Sequence, residues 1–235
     1  MLNCFIPHFF HPLLPPAIPL KSISVIHAPE DYRTDYPTGL WLSQLLYAAP
    51  RLRCMHWDGP PISAPWEQLT HLSWIPADRY GRMDVQHFRE TLDRLQNLTI
   101  LRLHLRPCIH YNNQEIPHLL PRVATFFLVG ETKIVRFLTL PELKHLVIEW
   151  SPSSSPHDLE SLLERSQCVI TCLELQEDHF PKLSSSLLMH NTVRTSLIRL
   201  ATTSPELNDF FEECERASPG TLPLLALPTR PMLQD

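Results

Sequence analysis

A six-residue pattern, with bulky residues at its first, fourth and sixth positions, recurs eight times along the chain. One copy, "LTHLSW" from Leu69, is neither a simple helical stripe nor a simple strand alternation, so the recurrence is more informative than any single copy. The copies begin at Leu20, Leu52, Leu69, Leu98, Val123, Leu143, Ile170 and Leu197. Their starts lie 17 to 32 residues apart, which indicates one structural unit repeated along the chain, with a strand at each copy.

Amphipathic helical patterns lie between several of these copies. Two patterns each place four apolar residues on one helix face, namely Leu42, Leu45, Leu46 and Ala49, and then Val85, Phe88, Leu92 and Leu95. A third helix is predicted after Ser155 as N-cap, because Pro156 suits the first turn and Asp158 completes a capping-box-like pair. The segment "SPELNDFFEECE", residues 204–215, repeats that device. The chain is therefore predicted to alternate strand and helix.

Stacking such units predicts an α/β fold, an irregular leucine-rich-repeat solenoid with one parallel sheet and with helices on its convex side. A single unit cannot bury its own apolar residues, whereas stacked units form a continuous core from the first, fourth and sixth positions. The step from Leu52 to Leu69 is irregular, since the loop "DGPPISAP" leaves no room for a helix. The predicted organisation is an irregular proline-rich arm at 1–19, the repeat-like domain at 20–216 and a proline-rich tail at 217–235.

Three phrases resemble the leucine-rich-repeat region of the F-box proteins of mushroom-forming fungi: "AAPRLRCMHWDGPPISAPWEQLTHLSW", "LTLPELKHLVIEW" and "DLESLLERSQCVITCLELQ". The resemblance covers residues 18 to 215. In that family the F-box, a short helical module, binds the Skp adaptor of a cullin ubiquitin ligase, and the repeats select a substrate. The resemblance therefore implies a protein-binding module without catalytic activity, similar to the substrate-recognition part of ubiquitin-ligase receptors.

The segment ahead of Leu20 departs from that family because it shows no three-helix pattern. Its prolines at 7, 12, 15, 16 and 19 each remove a backbone donor and disfavour helix at the preceding residue. We therefore expect that this chain alone does not bind the Skp adaptor directly. A role in ubiquitination would then need another subunit or a longer gene product.

Composition excludes several other classes of function. The net charge of -5 and the 20 Lys and Arg residues, without a basic run, argue against nucleic-acid binding. Five scattered glycines leave no phosphate loop, dinucleotide fingerprint or GxSxG elbow. Six cysteines without CxxC pairs suit a reduced compartment, either cytoplasmic or nuclear, and no window is apolar enough for a membrane helix.

The residues between the buried positions are expected to form two exposed columns across the sheet. The first column holds Ser22, Cys54, His71, Ile100, Thr125, His145, Cys172 and Arg199, and the second holds Ser24, His56, Ser73, Arg102, Phe127, Val147, Glu174 and Ala201. His104, Glu149 and Gln176 lie beside them. Apolar groups with a polar rim are typical of binding surfaces, although a flanking segment could also cover them. The predicted partner-binding residues are His56, His71, Ile100, Arg102, His104, Phe127, His145, Val147 and Glu174.

No metal, cofactor or catalytic site is predicted. His8 with His11, and Cys168 with Cys172, have helix-like ligand spacing but lack a further Cys/His pair or a carboxylate. The one plausible pairing of nucleophile and base is Cys54 with His56 or His71, but no Gly-rich oxyanion loop accompanies it. Two alternatives stay open: a hydrolase with a site in a loop such as "RPCIHYNNQEIP", and a truncated product without function.

Overall fold

The structure is a computed structural model that describes residues 17–26, 38–59, 62–76, 85–105, 117–150, 155–176, 187 and 190–202. Its strands are β1 (Ser22–Val25), β2 (Cys54–Asp58), β3 (His71–Ile75), β4 (Ile100–Leu105), β5 (His118–Leu119), β6 (Thr125–Gly130), β7 (Leu138–Thr139), β8 (His145–Trp150), β9 (Cys172–Gln176) and β10 (Arg199–Thr202). Its α-helices are α1 (Thr38–Tyr47), α2 (Val85–Arg94), α3 (Pro156–Ser166) and α4 (Asn191–Ser196), and short 3-10 helices span Trp66–Gln68 and Lys133–Phe137.

Eight of the strands form one sheet in the order β1-β2-β3-β4-β6-β8-β9-β10, and all neighbouring pairs are parallel. Each strand begins two residues after the start of its sequence pattern, as Cys54 follows Leu52 and His145 follows Leu143. The predicted α/β class and parallel sheet are therefore confirmed. A separate pair, β5 with β7, forms a small second sheet that the pattern did not predict.

A repeated backbone hydrogen bond explains the constant offset. The carbonyl of the residue after the first pattern position accepts two amides from the next copy: Arg53 O accepts from Thr70 N at 2.8 Å and from His71 N at 3.0 Å. The carbonyls that do the same in the other copies belong to Lys21, Thr70, Thr99, Ala124, Lys144 and Thr171. Because each strand is joined to the next at the same point of the pattern, equivalent residues lie side by side across the sheet.

The pattern residues form the core on one side of the sheet. Leu72, Leu101 and Leu146 at fourth positions are buried, and so are Trp57, Trp74, Leu103 and Ile148 at sixth positions, as predicted. Trp74 packs against Trp66 at 5.6 Å and Phe88 of α2 at 4.8 Å between ring centroids. Its indole nitrogen donates to the carbonyl of Gly59 at 3.1 Å, so the buried ring keeps a hydrogen bond. Strands and helices thus share a single hydrophobic core.

The three predicted helices with described residues are present, but the alternation of strand and helix is incomplete. Short 3-10 helices, not α-helices, precede β3 and β7, and α4 before β10 was not predicted. Gly130 ends β6 with a φ of +93°, and a Cβ atom there would lie 2.0 Å from the carbonyl oxygen of Leu105. Only glycine fits at this point of the sheet.

Ser155 is the N-cap of α3, as predicted, but the predicted capping-box pair is not formed, because the Ser155 side chain makes no capping hydrogen bond. The carboxylate of Asp158 instead accepts from Thr132 Oγ1 at 2.9 Å and from Arg136 at 3.0 Å. Thr132 Oγ1 in turn accepts the amide of Ser155 at 2.8 Å. The hydroxyl of Thr132, in the segment after β6, therefore satisfies the amide of Ser155 at the start of the helix. It also bonds to Asp158, which is buried and needs hydrogen-bond partners.

The predicted ends of the chain and the fourth predicted helix lie mainly outside the described residues. These are residues 1–16 of the arm, the tail at 217–235 and the segment 204–215. The described end of the arm joins the domain, since Ile18 N donates to the carbonyl of Ala48 at 2.7 Å. No helix in the described part of the chain is long and apolar enough to cross a membrane.

Candidate functional site

The side of the main sheet opposite the core carries both predicted columns, and we call it the open face. Strand pairing aligns every member of the first column from Ser22 to Arg199, and every member of the second from Ser24 to Ala201. His104, Glu149 and Gln176 follow in a third row, with Val129 between His104 and Glu149. The nine predicted partner-binding residues therefore lie on one surface of the sheet.

Val147 corrects one part of this prediction, because its side chain is only 5% exposed. It lies in the second column, as predicted, but between the larger residues Phe127 and Glu174. These neighbours on adjacent strands cover a short valine side chain. Ile100 and Phe127 are partly exposed, whereas Arg102 and His104 are exposed.

An open groove of about 370 Å³ occupies the β1-to-β6 part of the open face. Its floor and walls include Cys54, His56, Ile100, Arg102 and Phe127. The guanidinium of Arg102 lies over the ring of Phe127, 5.9 Å from the ring centroid. Within the described residues, no carboxylate lies at salt-bridge distance from Arg102, so its charge faces the groove and solvent. The groove thus combines an apolar wall with a positive charge.

The imidazoles at the same end of the open face have neutral partners. His56 Nδ1 lies 3.0 Å from the hydroxyl oxygen of Ser73, and His71 Nδ1 lies 2.8 Å from that of Thr70. Among the described side chains, neither imidazole hydrogen-bonds to the thiol of Cys54. The geometry of a histidine that deprotonates a cysteine nucleophile is therefore not formed here.

Three side chains of metal-ligating types lie close together at the other end of the open face. His145 Nε2 donates to Glu174 Oε1 at 3.1 Å, and the Cys172 thiol donates to the same oxygen at 3.9 Å. Burial of the thiol, and then the charge of Glu174, raise the pKa of Cys172. The three ligand-type atoms all lie within 4.8 Å of one another. A nitrogen, a sulfur and a carboxylate oxygen are thus gathered on two adjacent strands.

Sequence reasoning did not single out this cluster, although the columns carried its signal. His145 and Cys172 were adjacent in the first column, and Glu174 stood one column away from Cys172. The fold separates the two cysteines with helix-like spacing, Cys168 and Cys172. Cys168 is buried, which raises the pKa of its thiol to about 11, while Cys172 lies on the open face. The other pair, His8 with His11, lies outside the described residues.

A second histidine network joins α2 to the small sheet. His118 Nδ1 donates to Asp93 at 2.6 Å, and its Nε2 accepts from Arg89 Nε at 3.0 Å. His118 is largely buried, so these bonds satisfy both ring nitrogens and hold β5 against α2. Most of the loop "RPCIHYNNQEIP" ahead of it, residues 106–116, lies outside the described residues.

No protein family model, curated protein or solved structure matches this chain.

Proposed function

We propose that this chain is a non-catalytic protein-binding module, built as an irregular leucine-rich-repeat solenoid, whose open face selects a protein partner. The observation that carries the proposal is the groove on the open face, where Ile100 and Phe127 stay partly exposed beside Arg102. Exposed apolar groups with a charged rim form the centre of many protein interfaces. By its resemblance to F-box receptors, the module recruits a substrate to a ubiquitin ligase.

The repeated architecture supports the solenoid part of the proposal. Eight copies of one pattern form parallel strands in sequence order, and each copy is joined to the next by the same pair of backbone hydrogen bonds. Nearest-neighbour stacking of this kind is how repeat proteins bury their core. Such sheets offer extended surfaces to partners, and the open face is the proposed binding surface.

The chemistry of the groove indicates what the partner presents. The apolar wall suits one hydrophobic or aromatic side chain, which would displace water from Ile100 and Phe127. The guanidinium of Arg102 suits a carboxylate on the same partner segment. We therefore propose a protein ligand with an apolar residue next to an acidic one, met in the cytoplasm or the nucleus.

The test measures binding of an identified partner to purified variants. Proteins captured from host lysate are first analysed for one enriched partner and for ubiquitin-ligase subunits. The enriched partner is then purified. We expect Arg102→Glu and Phe127→Ala to weaken its affinity by at least about tenfold each, since central interface residues cost about 1.4 kcal/mol or more. Direct binding of the purified Skp adaptor to this chain alone is not expected.

Matched changes on helix faces are the control. Gln86 on α2 and Glu164 on α3 are exposed, so Gln86→Glu and Glu164→Lys alter charge away from the open face. We expect partner affinity to stay unchanged in both variants. Loss of binding in these helix variants, with full binding by Arg102→Glu and Phe127→Ala, would place the interface elsewhere.

A further inference from the structure

Two adjacent strands bring together three different metal-ligating groups on the open face. Strand β8 presents His145, and β9 presents Cys172 beside it and Glu174 two residues further along. Because residues two apart on a strand point to the same side, Cys172 and Glu174 both face His145. We propose that His145, Cys172 and Glu174 bind a transition-metal ion, and we expect this ion to be Zn²⁺.

The distances are close to those of a coordinated ion. Tetrahedral zinc holds sulfur at about 2.3 Å and nitrogen or oxygen at about 2.0–2.2 Å, which places neighbouring ligand atoms roughly 3.3–3.8 Å apart. Here Oε1 of Glu174 lies 3.1 Å from Nε2 of His145 and 3.9 Å from Sγ of Cys172. The widest pair is within 4.8 Å, so side-chain rotations that move atoms by about 1 Å close the site.

The donor types select the metal. Thiolate and imidazole favour zinc and other borderline or soft ions, whereas Mg²⁺ and Ca²⁺ prefer sites made of oxygen atoms. All three side chains are partly exposed, so an ion can reach them, and three protein ligands leave a fourth position for water or for a partner's side chain. On binding, the thiol of Cys172 releases its proton to solvent, and the proton on His145 moves to Nδ1. The two negative ligands then balance the charge of the divalent ion.

The chain supplies its own control in the pair Cys54 and His71. These residues are also cross-strand neighbours in the first column, on β2 and β3. The second column there holds His56 and Ser73 in place of a carboxylate, and the imidazole of His56, itself a ligand type, is bonded to the Ser73 hydroxyl at 3.0 Å. Among the described residues, His145, Cys172 and Glu174 are the three whose metal-ligating atoms all lie within 4.8 Å of one another, and neither Cys54 nor His71 belongs to such a group.

The experiment titrates the purified full chain, reduced and stripped of metal, with Co²⁺ and then with Zn²⁺. Co²⁺ reports the ligands directly, because a cysteine thiolate gives it a charge-transfer absorption band in the near ultraviolet. We expect one equivalent of Co²⁺ to produce this band and Zn²⁺ to remove it. Cys172→Ser should abolish the band, and His145→Gln and Glu174→Gln should weaken Zn²⁺ binding by at least about 100-fold, since even outer-shell losses cost about 10–100-fold.

The matched variants Cys54→Ser and His71→Gln should keep the band and the affinity. Zn²⁺ should also raise the melting temperature of the wild type but not that of Glu174→Gln, a near-isosteric change that preserves the fold. A band that survives in Cys172→Ser, a band lost in Cys54→Ser, or a wild type that binds no Co²⁺ at micromolar metal would each overturn the site. All measurements omit the protein partner, so they are independent of the proposed recognition function.

Discussion

The strand pairs β2–β3 and β8–β9 present the same two residue types at equivalent places in the sheet. Cys54 lies beside His71 in the first pair, and His145 lies beside Cys172 in the second. Their partners differ, because His71 bonds to the hydroxyl of Thr70, whereas His145 bonds to the carboxylate of Glu174. A cross-strand Cys–His pair is therefore an ordinary polar surface in one place and two thirds of a ligand set in the other.

The two strand pairs differ in the second column, which holds His56 and Ser73 on β2 and β3 but Val147 and Glu174 on β8 and β9. Ser73 on β3 is neutral and hydrogen-bonds to His56, and both residues line the groove. Glu174 on β9 brings a negative charge within reach of both a thiol and an imidazole. The open face thus has two chemically distinct halves on one uniform backbone.

Removal of core side chains beneath the two halves should have the largest effect. Leu72 of β3 and Leu146 of β8 both have their side chains almost fully buried in the shared core. We expect Leu72→Ala and Leu146→Ala each to lower the free energy of unfolding by about 2–5 kcal/mol. Urea denaturation followed by circular dichroism measures this loss.

Val169→Ala is the control for the core variants, since the side chain of Val169 is 57% exposed. We expect its free energy of unfolding to change by less than about 0.5 kcal/mol. A cost below about 1 kcal/mol for both leucine variants would contradict the core described here. A large cost for only one of them would show that the two halves do not share one core.

A smaller loss should follow removal of the hydroxyl that distinguishes the β2–β3 half. Ser73→Ala deletes the 3.0 Å hydrogen bond to His56 at a partly buried position. We expect the free energy of unfolding to fall by about 0.5–1.5 kcal/mol, the usual net value of such a bond. The same denaturation experiment detects it, and NMR of the His56 ring should show the lost contact. An unchanged His56 spectrum would mean that the bond is not formed in solution.

The strand positions could be predicted from the sequence because one pattern fixes both burial and pairing. Leu52, Leu69 and Leu143 mark the same point of three copies, and each strand starts two residues later. A constant offset preserves the alignment of neighbouring strands, so the columns were correct even though the strand starts were displaced. The repeated carbonyl acceptors maintain this alignment from one copy to the next.

The remaining features depend on side chains from different copies, which the pattern does not describe. Val147 is buried because Phe127 and Glu174 flank it, and Thr132 rather than Asp158 satisfies the amide of Ser155. To predict that a side chain on the open face is buried, or that a helix is capped from another element, one must know its neighbours in three dimensions. The proposed metal site required the same knowledge, since Glu174, its third ligand-type residue, comes from the second column.

Cys54 and Cys172 both lie in the first column of the open face, but the charge of Glu174 should affect the reactivity of Cys172 alone. Burial and the charge of Glu174 raise the pKa of Cys172, so a smaller fraction of its thiol is ionised at a given pH than in an ordinary cysteine. Because the thiolate is the nucleophile, metal-free Cys172 should react more slowly with iodoacetamide at pH 8 than cysteine in an unfolded peptide. Cys168, whose burial raises its pKa to about 11, should be slower still.

Glu174→Gln removes the negative charge and should speed alkylation of Cys172 while leaving that of Cys54 unchanged. The free energy of unfolding should change by no more than about 1 kcal/mol. Mass spectrometry of peptides from a time course in excess chelator resolves the three sites. An identical rate for Cys172 in the wild type and in Glu174→Gln would show that the carboxylate does not act on the thiol, and the contrast between the two halves would then lose its electrostatic basis.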